Sequence, residues 1–284
     1  MQGLKLSAML VIAIVSISFA SIFIVLANAP GPVTAFWRLI FSILILLAIK
    51  PSFKFKPKVL IYPAIAGFAL GIHFASWMES LLHTSVAIGT TIVCTHAVFS
   101  AIFSKFLKES VEFRQVIGII IAIYGIYLLS GAENCKNCTE FVGIILALIG
   151  AIFGGVYFTI GRVVRDKIEL KDYMLLTYFF AAITTLVLVI SMKLNLFNYK
   201  LQTWMFFLLL AIVPMLVGHT LLNYTLRYVK VVPVTASVLG EIVGATLLAY
   251  LILNQSLLLK DCIYIAVIVF GIALAVKGKL TSES

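Results

Sequence analysis

Apolar runs long enough to cross a bilayer follow one another along the whole chain, separated by polar joints of about a dozen residues or fewer. A membrane helix needs about 17–25 predominantly apolar residues. That ruler marks ten segments: 6–28, 33–49, 59–79, 84–106, 114–131, 141–161, 173–192, 203–224, 232–253 and 261–276. Hydrocarbon offers no water to backbone N–H and C=O groups, so each run must satisfy its own as a helix. Composition agrees, since 63% of the 284 residues are hydrophobic and 11% charged, where a soluble domain carries roughly 25% charged residues. The expected fold is an all-α polytopic membrane protein of ten transmembrane helices, with no soluble domain left over. The first run imitates a secretory signal, with Lys5 before it and Ala27-Asn28-Ala29 behind it. Its apolar stretch exceeds the roughly 7–15 residues of a signal core, and it reads as the first membrane helix.

The net charge of +10 does not point to nucleic acid, because Lys and Arg sit in the joints rather than along one face or arm. Counted on alternate sides, sixteen lie on the side of the termini: Lys5, Lys50, Lys54, Lys56, Lys58, Lys105, Lys108, Arg114, Arg162, Arg165, Lys167, Lys171, Arg227, Lys230, Lys277 and Lys279. Four, Lys136, Lys193, Lys200 and Lys260, lie on the other. Positive joints stay cytoplasmic, so both termini are expected inside the cell membrane, and Cys135 and Cys138 outside. The second and last segments are short for a span, which favours tilt or snorkelling of Arg38 and Lys277.

The chain also repeats itself. A shift of 146 residues brings His73 onto His219, Ala87 onto Pro233, Thr95 onto Glu241 and Leu107-Lys108-Glu109-Ser110 onto Leu253-Asn254-Gln255-Ser256. The two halves, 1–138 and 139–284, then hold five helices each, and an odd number turns the second half upside down relative to the first. Inverted repeats are a transporter architecture, with the site at the repeat interface near the bilayer midplane.

Three stretches carry a family likeness: Ala35-Phe36-Trp37-Arg38 at the second helix; Tyr224-Thr225-Leu226-Arg227-Tyr228-Val229 leading into Val234-Thr235-Ala236-Ser237; and Leu239-Gly240-Glu241-Ile242-Val243-Gly244-Ala245 with Leu251-Ile252-Leu253-Asn254-Gln255. On these the chain resembles the EamA-type transporters of the drug/metabolite transporter superfamily. The resemblance implies a ten-helix secondary carrier of small organic metabolites, often amino acids leaving the cell. Two features depart from it. The family's Glu-Pro pair in helix nine stands here as Glu241-Ile242, and its first-half counterpart as Thr95-His96, so neither copy has the proline that kinks the helix. The acidic ending of helix nine is Gln255, while Glu109 keeps the first copy.

Ionisable groups inside a span are costly and normally face a protein interior or a wet cavity. Glu241 is such a group, flanked by Gly240 and Gly244 at GxxxG spacing, which lets another backbone approach. It reads either as a binder of substrate ammonium or exchanger of a proton, or as a hydrogen-bonded packing residue. His73, His96 and His219 are candidates for proton transfer or hydrogen bonding, and for packing equally. His219 and Asn223 share a helix face, as do His73 and Trp77, being one turn apart; Thr95 completes the candidate set. Trp37 and Arg38 read as an interfacial anchor first and a gate second. Glu79 and His83 border a short loop and read as solvated. The spacings Gly67/Gly71 and Gly150/Gly154 suit helix packing, with a homodimer as their second use. Tyr157 and Ser18 either line a cavity or bond a backbone carbonyl.

No nucleotide loop, HExxH or aspartate cluster is present, so an intramembrane enzyme, a cofactor and a metal are not expected. Cys94 and Cys262 lie in apolar runs and behave as small hydrophobes. The Cys135-Lys136-Asn137-Cys138 pair is too isolated for a four-ligand zinc site and suggests a local disulfide, a reducible pair or two free thiols. The expected partners are a small-molecule substrate, the lipid bilayer and a coupling proton or ion. The second reading within transport is a nucleotide-sugar or lipid-head-group carrier, whose phosphates would suit the basic joints.

Overall fold

A computed structural model describes residues 2–48, 52, 56–107, 113–129, 138–164, 167–255 and 258–276. Among these the regular elements are all helical. Even α1 (Gln2–Ala27), rich in Ile and Val, is a continuous helix, because the demand for internal hydrogen bonds in lipid overrides the strand preference of β-branched residues. It stops at Asn28, which adopts the left-handed conformation (φ 46°) that asparagine tolerates at a helix C-terminus. Next come α2 (Gly31–Ala48), α3 (Ile61–Ser80), entered by a 3-10 turn over Pro57–Leu60, then α4 (Val86–Val93), α5 (His96–Phe103) and α6 (Phe113–Leu129). The second half holds α7 (Cys138–Val164), α8 (Leu170–Ser191), α9 (Leu201–Leu210), a π-helical segment (Ala211–His219), α10 (Thr220–Thr225), α11 (Val231–Ser237), α12 (Gly240–Leu253) and α13 (Leu259–Val276).

Eight stretches of the described residues are long and apolar enough to cross a membrane: Lys5–Ala27, Gly31–Ala48, Pro57–Ser80, Val86–Phe103, Thr139–Val164, Leu170–Ser191, Leu201–Thr225 and Val231–Leu253. Ten were expected. The remaining two coincide with α6 and α13, which lie against each other. As described, α6 has 17 residues, about 25 Å at the helical rise, short of a hydrocarbon core of about 30 Å. In α13 the described apolar stretch is Cys262–Gly271.

Packing follows a two-fold exchange of halves. Helix α1 runs against α9, the π segment, α10 and α12, and its counterpart α7 runs against α3, α4 and α5. Helix α2 meets its counterpart α8, and α6 meets α13. The glycine spacings are used up inside this arrangement. A Cβ on Gly67 or Gly71 would strike Thr177 and Phe180 or Thr184 of α8, and one on Gly244 would strike Ser18 of α1. These faces join helices of one chain, so the homodimer suggested by their spacing has no free glycine face there.

Three spans are broken near their middles, where the missing proline led us to expect none in helices four and nine. Between α4 and α5, Thr95 N donates to Ile92 O at 3.1 Å and Val98 N to Thr95 O at 2.8 Å. Between α11 and α12, Leu239 N donates to Ala236 O at 3.0 Å and Glu241 N to Val238 O at 2.8 Å. Each is a tightened i→i+3 turn in an otherwise α-helical span. Side-chain hydroxyls take the place of proline: Thr95 Oγ1 donates to Ile92 O at 2.6 Å and Ser237 Oγ to Val234 O at 2.7 Å. Such back-bonding competes with the helical ladder and bends it. The third break is the π segment, which contains Pro214.

The loops are pinned at both faces. Glu79, expected to be solvated, accepts from the backbone N–H of Gly31 at 2.6 Å and lies 3.3 Å from His83 Nε2, so it caps the N-terminus of α2 with negative charge. At the other face the buried Asp172 accepts from Ser52 N at 2.9 Å and from Ser52 Oγ at 2.7 Å.

Candidate functional site

The broken spans meet around one cavity. It is lined by Ile17 and Ala20 of α1, His73 and Trp77 of α3, Val93, Cys94 and His96 at the first break, and Phe158 of α7. His219 ends the π segment there, Leu222 comes from α10, and Val238 and Glu241 come from the second break. The third, fourth, eighth and ninth apolar segments all contribute to the wall, and the counterpart pair α1 and α7 completes it. The empty space totals about 370 Å³, of which about 20 Å³ can hold the centre of a water-sized sphere. That is room for a water molecule or two.

Of the candidate residues, His73, Trp77, His96, His219 and Glu241 line this space together. Glu241, 6% exposed, projects from the first turn of α12, and the Sγ of Cys94 is 4.0 Å from its Oε2. His73 Nδ1 is 2.7 Å from Gly150 O, and its ring stacks on Trp77 at 6.1 Å. Gly154 makes this fit, since a Cβ there would lie 2.8 Å from His73 Nδ1. His96 is 6.5 Å from His73, centroid to centroid, and 5.1 Å from Phe158. His219 lies parallel to Phe158 at 6.2 Å. Several polar atoms here have no hydrogen-bond partner within the protein: Trp77 Nε1, His96 Nδ1 and His219 Nδ1. Buried polar atoms normally find partners, and these three belong to residues that border the space a water molecule fits. Among the described residues no three of His, Cys, Asp and Glu gather at metal-ligand spacing.

Asn223 and Thr95 stand behind this wall. Asn223 donates to Tyr157 Oη at 2.6 Å and to His219 O at 2.9 Å, so it steadies the turn that carries His219. Tyr157 thereby takes part in a side-chain contact, while Ser18 bonds the carbonyl of Ile14 at 2.8 Å. Thr95 serves the break between α4 and α5. Cys94 and Phe158 were not singled out from sequence, because a thiol and a phenyl ring in an apolar run carry no signal of their own.

Trp37 and Arg38 part company. Trp37 donates from Nε1 to Leu196 O at 2.8 Å and stacks edge-on against Trp204 at 4.6 Å, fastening the joint before α9. Arg38 was expected to snorkel to an interface, and it is fully buried instead, at 0% exposed. Helix α2 begins at Gly31, two residues before the expected start, which sets Arg38 about two turns in. One residue on from Trp37 it also points about 100° away around the helix, toward the core. Cys135 lies outside the described residues, as does the side chain of Cys138, so their pairing is not part of this site.

Residues 5–131 and 141–277 each match the model of the EamA-like transporter family. An uncharacterized transporter of Clostridium kluyveri is 25% identical over 220 residues, 74% of this chain and 70% of that protein. An uncharacterized transporter of Archaeoglobus fulgidus is 23% identical over 279 residues, 94% of this chain and 95% of that protein. A protein crystal structure superposes with a TM-score of 0.71 over 95% of this chain and 96% of the other, at 17% identity, a likeness of fold. With two family matches spanning most of its length and a polar cavity between its broken helices, the chain belongs to the EamA-like transporter family and is a multi-pass membrane transporter.

Proposed function

We propose that this transporter is a secondary carrier of a small organic metabolite, an amino acid or related compound, working by alternating access. Its architecture in this reading is ten spans in two inverted five-helix repeats, 1–138 and 139–284, with both termini on the cytoplasmic side of the cell membrane. The exchange of packing partners between α1 and α7 supports the repeat, and the excess of positive joints supports the orientation. The observation that carries the functional reading is Glu241, a carboxylate at a helix break, facing three histidines across a cavity at the meeting of the halves. Charged, it binds an ammonium group; protonated, it carries a proton across as the cavity changes sides. The apolar and aromatic remainder of the wall suits an aliphatic or aromatic side chain.

Glu241→Gln keeps the shape and removes both abilities. In proteoliposomes containing the purified protein, flux across a panel of amino acids should be lost, or lose its pH dependence between about pH 5 and 8, while the variant inserts and elutes as the parent does. Unchanged flux and unchanged pH dependence would return Glu241 to a packing role.

A further inference from the structure

Arg38 is the largest fully buried side chain in the molecule's described core, and nothing satisfies its donors. Its Nε, Nη1 and Nη2 all lack hydrogen-bond partners, although a guanidinium presents five N–H groups in a fixed fork. Its charge rests on the face of Phe74, with Cζ 4.1 Å from the ring centroid. A cation–π contact returns only part of the hydration a guanidinium gives up. No hydrogen bond joins Arg38 to Glu241. Natural cores seldom keep such a group, since a buried charge is paired or hydrogen-bonded.

The position of Arg38 explains the exception. Phe74 meets the ring of His219 edge-on at 5.3 Å and 88°, and His219 lines the cavity. The rings of Phe74 and His219 therefore stand in series between the unmet guanidinium and the transport cavity. Glu241 stands in the same cavity as an acid. Glu241 inside the cavity and Arg38 behind Phe74 carry opposite signs, and a guanidinium fork matches both oxygens of a carboxylate.

We propose that Arg38 is the receptor for a carboxylate of the cargo, exposed to it when Phe74 swings aside. This deepens the reading of the same cavity as a carrier site: the cargo is anionic at one end, and a zwitterion places its ammonium group toward Glu241.

The test is thermal stabilisation of the purified, detergent-solubilised protein by three sets of probes: the L-amino acids, their amides, and short carboxylates with the same side chains but no amine. Carboxylates should stabilise the parent protein more than the matching amides. Arg38→Met should abolish that preference, a loss of at least about tenfold in affinity, while the ligand-free variant melts no lower than the parent, since it removes an unpaired buried charge. Arg38→Lys should keep part of the preference. An undiminished preference in Arg38→Met overturns the proposal, and so does failure of both variants to fold, because a structural arginine behaves that way. If amine-free carboxylates bind through Arg38 and no amino acid binds, the amino-acid reading falls and the inference stands. If amino acids bind no better than their amides, the inference falls and the carrier reading stands.

Discussion

Gly154 owes its identity to a neighbour. The space its side chain would take is filled by the imidazole of His73, and His96 Cβ is 3.1 Å from the same point. Gly154→Ala should therefore push His73 off the Gly150 carbonyl and lower both transport and stability, the latter by about 1–3 kcal/mol as overpacking does. Gly240→Ala meets only the side chain of Ile14, which can turn away, and should cost less. Melting of the two variants in detergent, beside their flux in proteoliposomes, checks the order. At this scale the sequence showed the acid and the histidines, because polar groups inside a span are few and expensive. Arg38 was seen and misplaced: spacing along a helix measures depth, whereas the direction a residue faces depends on where the helix starts. The unmet polar atoms of Trp77 and His96 belong to no residue type and appear only in three dimensions.

The π segment sets the angle from which His219 enters the cavity. Pro214, inside it, has no N–H to give an α-helical ladder and its ring crowds the preceding turn, and π turns accommodate an extra residue at such points. Pro214→Ala restores the donor and lets the segment close toward α geometry, rotating His219 away from Phe158. Transport should fall while the melting temperature holds or rises; unaltered flux would show that the angle is set by the packing on α1 instead. Apolar runs announced the spans, but not their interruptions. Proline was the sign looked for in helices four and nine, and the bends there are made by Thr95 and Ser237, residues common in unbent helices as well.

For the whole molecule, the proposed orientation rests on charge. In the proposed ten-span topology sixteen positive side chains lie on one side and four on the other, so a membrane-impermeant thiol reagent applied to intact cells after mild reduction should label Cys135 and Cys138. Labelling only after the membrane is opened would reverse the topology. The repeat was legible because two helices carry polar residues at matching positions. Its consequence, that α1 and α7 wall the same cavity, was not, since Ile17, Ala20 and Phe158 are the kind of residues any span contains.

The hydroxyl-held bends carry one more consequence. A bend made by proline is the same wet or dry, because the missing amide cannot be restored. Thr95 and Ser237 hold theirs with an O–H bond to a carbonyl, and water can compete for both partners. In the proposed alternating-access cycle the cavity admits solvent on one side at a time, and the joint it reaches can trade a carbonyl for a water molecule and straighten, so hydration and curvature move together. Turnover in a carrier that works this way would answer to the activity of water as well as to the gradient of its cargo, and a large polymer that dries the cavity by osmosis would act on its hinges.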